Sequence, residues 1–63
     1  MNQEILRKQV KLAKALNDDW TYKMMSEAIG ITDHAFYNWL KGYYSLSYSK
    51  ARYLEDIIIC LID

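Results

Sequence analysis

Asp33, His34, Tyr37, Asn38 and Lys41 are the side chains best placed to do chemistry together, because at helical spacing they share one arc. Their chemistry is recognition. A carboxamide, an imidazole, a phenol and a carboxylate offer donors and acceptors that suit the edges of nucleic-acid bases. Bond-breaking chemistry has little to work with, since the chain holds one histidine and one cysteine. It has no glycine-rich phosphate loop, no carboxylate pair suited to being held apart in a pocket, and no cluster with metal-ligand spacing. His34 beside Asp33 is more simply a solvent-facing pair at a helix start. A metal on His34 and Cys60 would need two further ligands that the sequence does not place. No catalytic residue, metal or cofactor is expected.

Those five residues need a helix to present them, and the stretch Thr21 to Gly42, TYKMMSEAIGITDHAFYNWLKG, supplies one. Thr21 is a hydroxyl placed to cap a first short helix, and Gly30 sits where that helix must stop and the chain must turn. Ile31 follows as an inward apolar plug, and Thr32 caps a second helix that runs to Gly42. Met25 and Ile29 face the core from the first helix, with small Ser26 at a close crossing. Phe36, Trp39 and Leu40 form the buried stripe of the second. Two short helices joined by a tight glycine turn are a helix-turn-helix.

SEAIGITDHAFYNWLKG resembles the helix-turn-helix of the phage-repressor (Cro-type, lambda-repressor-like) DNA-binding domains. Met25, Ser26, Ile29, Gly30, Ile31, Thr32, Phe36, Trp39 and Gly42 fall on the motif positions, and the resemblance covers roughly Asn17 to Ile58. It implies duplex DNA as partner, with helix 32–41 in the major groove and its N-terminal residues at the base edges. Asn38 is the best single reader, because a carboxamide can bond an adenine edge bidentately. His34, Asp33 and Tyr37 complete the base-reading set, although Asp33 is repelled by phosphates. Tyr22, Lys23, Thr32, Lys41, Tyr43 and Tyr44 are assigned to the DNA backbone. Tyr22 has an equal alternative as a packing residue.

The 63 residues make one small domain, 1–63, with the motif at 21–42. Hydrophobic residues are 52% of the chain, and with two glycines and no proline this favours a helical chain with a core. No apolar run approaches membrane-spanning length and no signal segment is present, so a cytoplasmic, membrane-free protein is expected. Net charge is zero, where nucleic-acid binders are often basic, so the distribution of charge matters more than its sum.

Gln3 to Leu16 reads as the first helix, with Ile5, Leu6, Val10, Leu12, Ala13 and Leu16 in one inward arc. Arg7, Lys11 and Lys14 cluster opposite, with Lys8 at the edge. That stripe is either an ordinary solvated face or a flank towards phosphates. Asn17-Asp18-Asp19 makes the connection, and Trp20 is expected in the core. Met24 and Ala28 occupy positions that the family usually keeps polar. They either pack on a neighbouring helix or mark a contact with another protein.

Residues 43–48, YYSLSY, form the next loop, and its hydroxyls and aromatic rings leave only neutral phosphate contacts. Three tyrosines also suit a protein-binding surface. Ser49 to Ile62 is the closing helix, with Ala51, Leu54, Ile58 and Leu61 inward. Ile57, Ile59, Cys60 and Ile62 are left over as a dimer face, although Cys60 in its apolar run also reads as a buried free thiol. A terminal strand over 57–62 is the alternative there. The expected architecture is all-α, a small four-helix bundle. The expected function is transcriptional regulation on duplex DNA, as a homodimer. The alternative is a protein-interaction module, an inhibitor or antirepressor that keeps the fold and binds another protein.

Overall fold

Four α-helices, α1 (Gln3–Leu16), α2 (Tyr22–Ile29), α3 (Asp33–Leu40) and α4 (Tyr48–Ile62), make up the computed structural model, which describes residues 3–62. No strand occurs among the described residues, and 57–62 are helical. The helix expected from Ser49 starts one residue earlier, which takes Tyr48 out of the loop. The helix expected to reach Gly42 ends at Leu40, with Lys41 as its cap.

Both central helices start on a threonine in extended conformation. Thr21 Oγ1 accepts from the Met24 N–H at 3.2 Å, and Thr32 Oγ1 accepts from the Ala35 N–H at 3.1 Å. Both end on a left-handed glycine, Gly30 at φ 77° and Gly42 at φ 89°. After α2, the Gly30 N–H donates to Glu27 O and the Ile31 N–H to Ser26 O. After α3, the Gly42 N–H donates to Trp39 O and the Tyr43 N–H to Asn38 O. This paired pattern satisfies the last helical carbonyls and turns the chain away. Lys50 Nζ donates to Ile29 O at 2.9 Å, placing a cation on the C-terminal end of α2.

The core is filled by Leu6, Val10 and Ala13 from α1, Met25 and Ile29 from α2, Phe36 and Trp39 from α3, and Ala51, Leu54 and Ile58 from α4. Leu46 joins them from the loop and is also buried. Leu40, Leu61 and Trp20, expected inside, are half-buried against this cluster.

Four hydrogen bonds set the helix order in space. Gln3 Nε2 donates to Leu46 O at 3.0 Å, just ahead of α4, and Asn17 Nδ2 donates to Leu61 O at 3.1 Å near its far end. Helices α1 and α4 therefore run side by side in the same direction. Lys50 ties α4 to α2, and the Trp39 indole N–H, donating to Gln3 Oε1 at 2.8 Å, ties α3 to α1. The result is one layer of α1 and α4 over a second layer of α2 and α3.

Helix α1 departs from expectation on both flanks. Ile5, Leu12 and Leu16 are 55%, 49% and 60% exposed, because the inward stripe is only Leu6, Val10 and Ala13 and these three lie beyond its edge. Arg7, expected on a solvated basic stripe, is buried on the opposite flank. Its guanidinium lies 5.2 Å from the Trp39 ring centroid and donates to Trp39 O, to Tyr44 O and to Glu4. Cys60, expected buried, is exposed. It lies two residues past buried Ile58, about 200° around the helix. Ile57, expected to face outward, packs half-buried against the core.

Arg7→Met should lower stability by about 2–3 kcal/mol, because it leaves the Trp39 and Tyr44 carbonyls without their charged donor. An unchanged urea midpoint would show that this buried cation contributes nothing. Gly30→Val should cost about 1 kcal/mol or more, since a β-branched residue must adopt positive φ there. Thermal unfolding of the variant measures it.

Candidate functional site

The exposed side of α3 carries Asp33, His34, Tyr37 and, at its cap, Lys41, with Asn38 half-buried beside them. All five expected members of this row therefore share one surface. It is polar because Phe36 and Trp39, fully buried, point the other way into the core.

The row is internally organised. Asn38 Nδ2 lies 3.1 Å from His34 Nε2, one helical turn away. The amide donates when that ring nitrogen carries no proton. This uses one amide hydrogen and leaves Asn38 a second N–H and its carbonyl. That remaining pair is the set that the N7 and N6 edge of adenine takes. Tyr37 is braced from below, its ring 5.8 Å from that of Tyr22 in an edge-on contact at 87°. Tyr22 in turn packs 5.9 Å from Phe36. Its half-buried ring is thus a packing element, which leaves a phosphate role to its hydroxyl alone.

Asp33 is less available than its sequence position suggests. Its Oδ1 lies 2.8 Å from the hydroxyl oxygen of Ser26, which is fully buried where α2 crosses α3. The Lys23 carbonyl is also 2.8 Å from that hydroxyl. One proton serves one acceptor at a time, and the charged acceptor is the stronger. Asp33 therefore holds the start of α3 against α2, in the first turn where the helix dipole favours an acid. Sequence reading saw Ser26 as a small crossing residue and missed this bond. The signal was present, since a serine and an acid flanking a short turn are brought together by the turn itself.

Of the residues assigned to a DNA backbone, Lys23, Thr32, Lys41, Tyr43 and Tyr44 are exposed. The Thr32 oxygen is used as a cap acceptor, but its O–H proton remains able to donate outward. Tyr43 is 75% exposed, whereas Tyr44 is 37% exposed and its carbonyl is held by Arg7. Of the expected dimer residues, Ile59, Cys60 and Ile62 are exposed on α4, away from α3.

A cleft of about 490 Å³ lies at the far end of the molecule, lined by Leu16, Asn17, Asp18, Asp19, Trp20, Met24 and Leu61. Met24, left open between packing and a partner contact, is 40% exposed at its edge. The Trp20 indole N–H is buried with no partner among the described residues. Among those residues no group of three or more His, Cys, Asp or Glu side chains comes together to hold a metal. None of their helices is long and apolar enough to cross a membrane.

Comparison with protein-family models, curated proteins and solved structures finds no match to this chain.

Thr32→Ala should remove the cap that starts α3 and lower stability by about 1 kcal/mol, with Thr32→Ser restoring most of it. Equal unfolding midpoints for all three chains would show that the cap does not support this helix.

Proposed function

We propose that this chain binds duplex DNA and regulates transcription, laying α3 in the major groove as a helix-turn-helix of the phage-repressor type. The observation that carries the reading is the composition of α3's exposed row. His34, Tyr37, Asn38 and Lys41 are all hydrogen-bonding groups on a short helix with capped ends and a buried apolar back. A protein-docking helix would place aliphatic anchors there; this one has none. The molecule measures 26 × 22 × 18 Å, so one chain covers less than one turn of duplex, roughly 34 Å.

In this reading Asn38 reads a base edge, His34 orients Asn38, and Tyr37 offers a hydroxyl to a neighbouring edge. Lys41 and Lys23 neutralise phosphates, while Thr32 and Tyr43 donate neutral hydrogen bonds. Lys50 is occupied by the α2 carbonyl end. With two available cations, the logarithm of affinity should fall against the logarithm of salt with a slope of about −2, shallow for a DNA binder.

A second reading, a protein-interaction module, draws on the exposed tyrosines. Tyr43, Tyr48 and Tyr53 are 75%, 70% and 54% exposed, which offers contact area at low entropic cost. Zero net charge suits it as well.

Selection of a preferred duplex from a random pool, followed by a salt titration, separates the two. On that duplex Asn38→Ala should cost roughly 1–3 kcal/mol and relax preference at one base pair. Lys41→Ala should weaken all sequences alike and flatten the salt slope by about 1. If no duplex is enriched and binding shows no salt dependence, the DNA reading fails and the tyrosine surface becomes the candidate.

A further inference from the structure

The side of the molecule away from α3 carries an apolar face that none of the described residues covers. On α1, Ile5, Leu12 and Leu16 are 55%, 49% and 60% exposed. On α4, Ile59 and Ile62 are 51% and 37% exposed. The two sets adjoin. One flank of α1, through Gln3 and Arg7, is turned to α3 and its following loop, and one flank of α4, through Lys50, is turned to α2. With α1 and α4 parallel, their remaining flanks meet along the outer seam, where Leu12 and Leu16 lie near the level of Ile59 and Ile62 and Ile5 lies towards the other end, near the level of Tyr48. Phe36 and Trp39 enter the core from α3 on the opposite side. The seam and the α3 row are thus back to back.

Charge identifies what fits this seam. After Glu4, α1 has no acidic residue, and Lys8 and Lys11 border its outer flank, whereas Lys14 lies on the Arg7 flank. The outer side of α4 carries Glu55 and Asp56 around a single cation, Arg52, which lies 3.9 Å and 3.6 Å from them. The seam is therefore basic along one helix and acidic along the other. The geometry points to a second copy of this chain as its occupant, α1 of each copy lying along α4 of the other about a two-fold axis parallel to the helices. The other two-fold arrangement, α1 on α1 and α4 on α4, sets lysines against lysines and acids against acids. The chosen one pairs opposite charges twice and buries the isoleucines and leucines between them.

This dimer differs from one that lays two paired α3 helices in successive major grooves of a single duplex. Here the two α3 rows point in opposite directions. Resting on the DNA reading above, the dimer would hold two separate duplex segments together.

Sedimentation equilibrium of the wild-type chain, which involves no DNA, should show a dimer at high micromolar concentration. Leu12→Glu with Ile59→Glu should leave a folded monomer, since both positions are half-exposed in the single chain and circular dichroism should be unchanged. Lys8→Glu with Lys11→Glu should weaken the dimer at least about tenfold. Adding Glu55→Lys and Asp56→Lys to that same chain should restore it, because each α1 then again meets an α4 of opposite charge. A monomeric wild type, or a dimer indifferent to Leu12→Glu with Ile59→Glu, overturns the proposal. Loss without restoration in the folded four-residue swap overturns the α1-on-α4 pairing. Capture of a fluorescent duplex by an immobilised one, through the wild type but not through the folded monomeric variant, tests the back-to-back geometry. A dimer whose copies bind DNA without such capture overturns that geometry. A dimer that binds no DNA at all sinks the DNA reading and leaves the seam intact.

Discussion

The position of α3 depends on a polar clamp that α1 closes over Trp39. Gln3 takes the indole N–H, and with the same amide it meets both the N–H and the carbonyl of Leu46. Arg7, one turn later, lies on the ring and holds the carbonyls of Trp39 and Tyr44. A buried tryptophan needs a partner for its N–H, and a helix end needs partners for its last carbonyls. Two side chains of α1 meet both needs at once. These contacts therefore set where α3 ends, how the loop leaves it, and where α4 begins. Apolar packing alone would leave α3 free to slide along the core, because dispersion and burial have little direction. The hydrogen bonds supply the direction.

A second device acts at the other end of α3. Thr32 caps its first turn, and Asp33 grips the Ser26 hydroxyl across the turn from α2. Between this grip and the clamp on Trp39, a helix of eight residues is held at both ends. So short a helix would not persist alone in water. Rigidity matters for a row of polar side chains, because each hydrogen bond to a partner gains only when its donor is already in place. The His34–Asn38 contact extends that order from backbone to side chains.

Much of this was legible in the sequence, and what was missed has a common physical cause. The helix order, both threonine caps and both glycine stops follow from local chemistry, so Thr21, Gly30, Thr32 and Gly42 announce themselves. The buried stripes of α2, α3 and α4 follow from period alone. Periodicity assigns a direction to each residue but not the width of the covered arc. Period alone puts Ile5, Leu12 and Leu16 inside for that reason, and hydrophobicity puts Cys60 there. Arg7 was misplaced because a guanidinium reads as solvent-facing until the buried carbonyls it serves are known. Those carbonyls lie more than thirty residues away in the chain. Leu46 was overlooked among hydroxyls and rings because a loop residue has no period to betray it.

Zero net charge also takes on a different meaning once the charges are placed. Arg7 is inside, Lys50 serves a helix end, and Arg52 is engaged with Glu55 and Asp56. Of the acids, Asp33 is tied to Ser26 and Glu4 to Arg7. The remaining cations divide between the α3 side, with Lys23 and Lys41, and α1, with Lys8, Lys11 and Lys14. A partner approaching α3 meets a local field set by the nearest charges, because surface charges beyond about 8–10 Å are screened at ordinary salt. Neutrality of the whole chain therefore does not oppose binding of an anionic duplex at α3. It does limit long-range attraction, so such a complex would form with little electrostatic steering and would depend on the fit of a few polar groups. In the proposed reading the weight of recognition would then fall on Asn38, His34 and Tyr37, carried by the helix whose two ends the clamp and the cap hold.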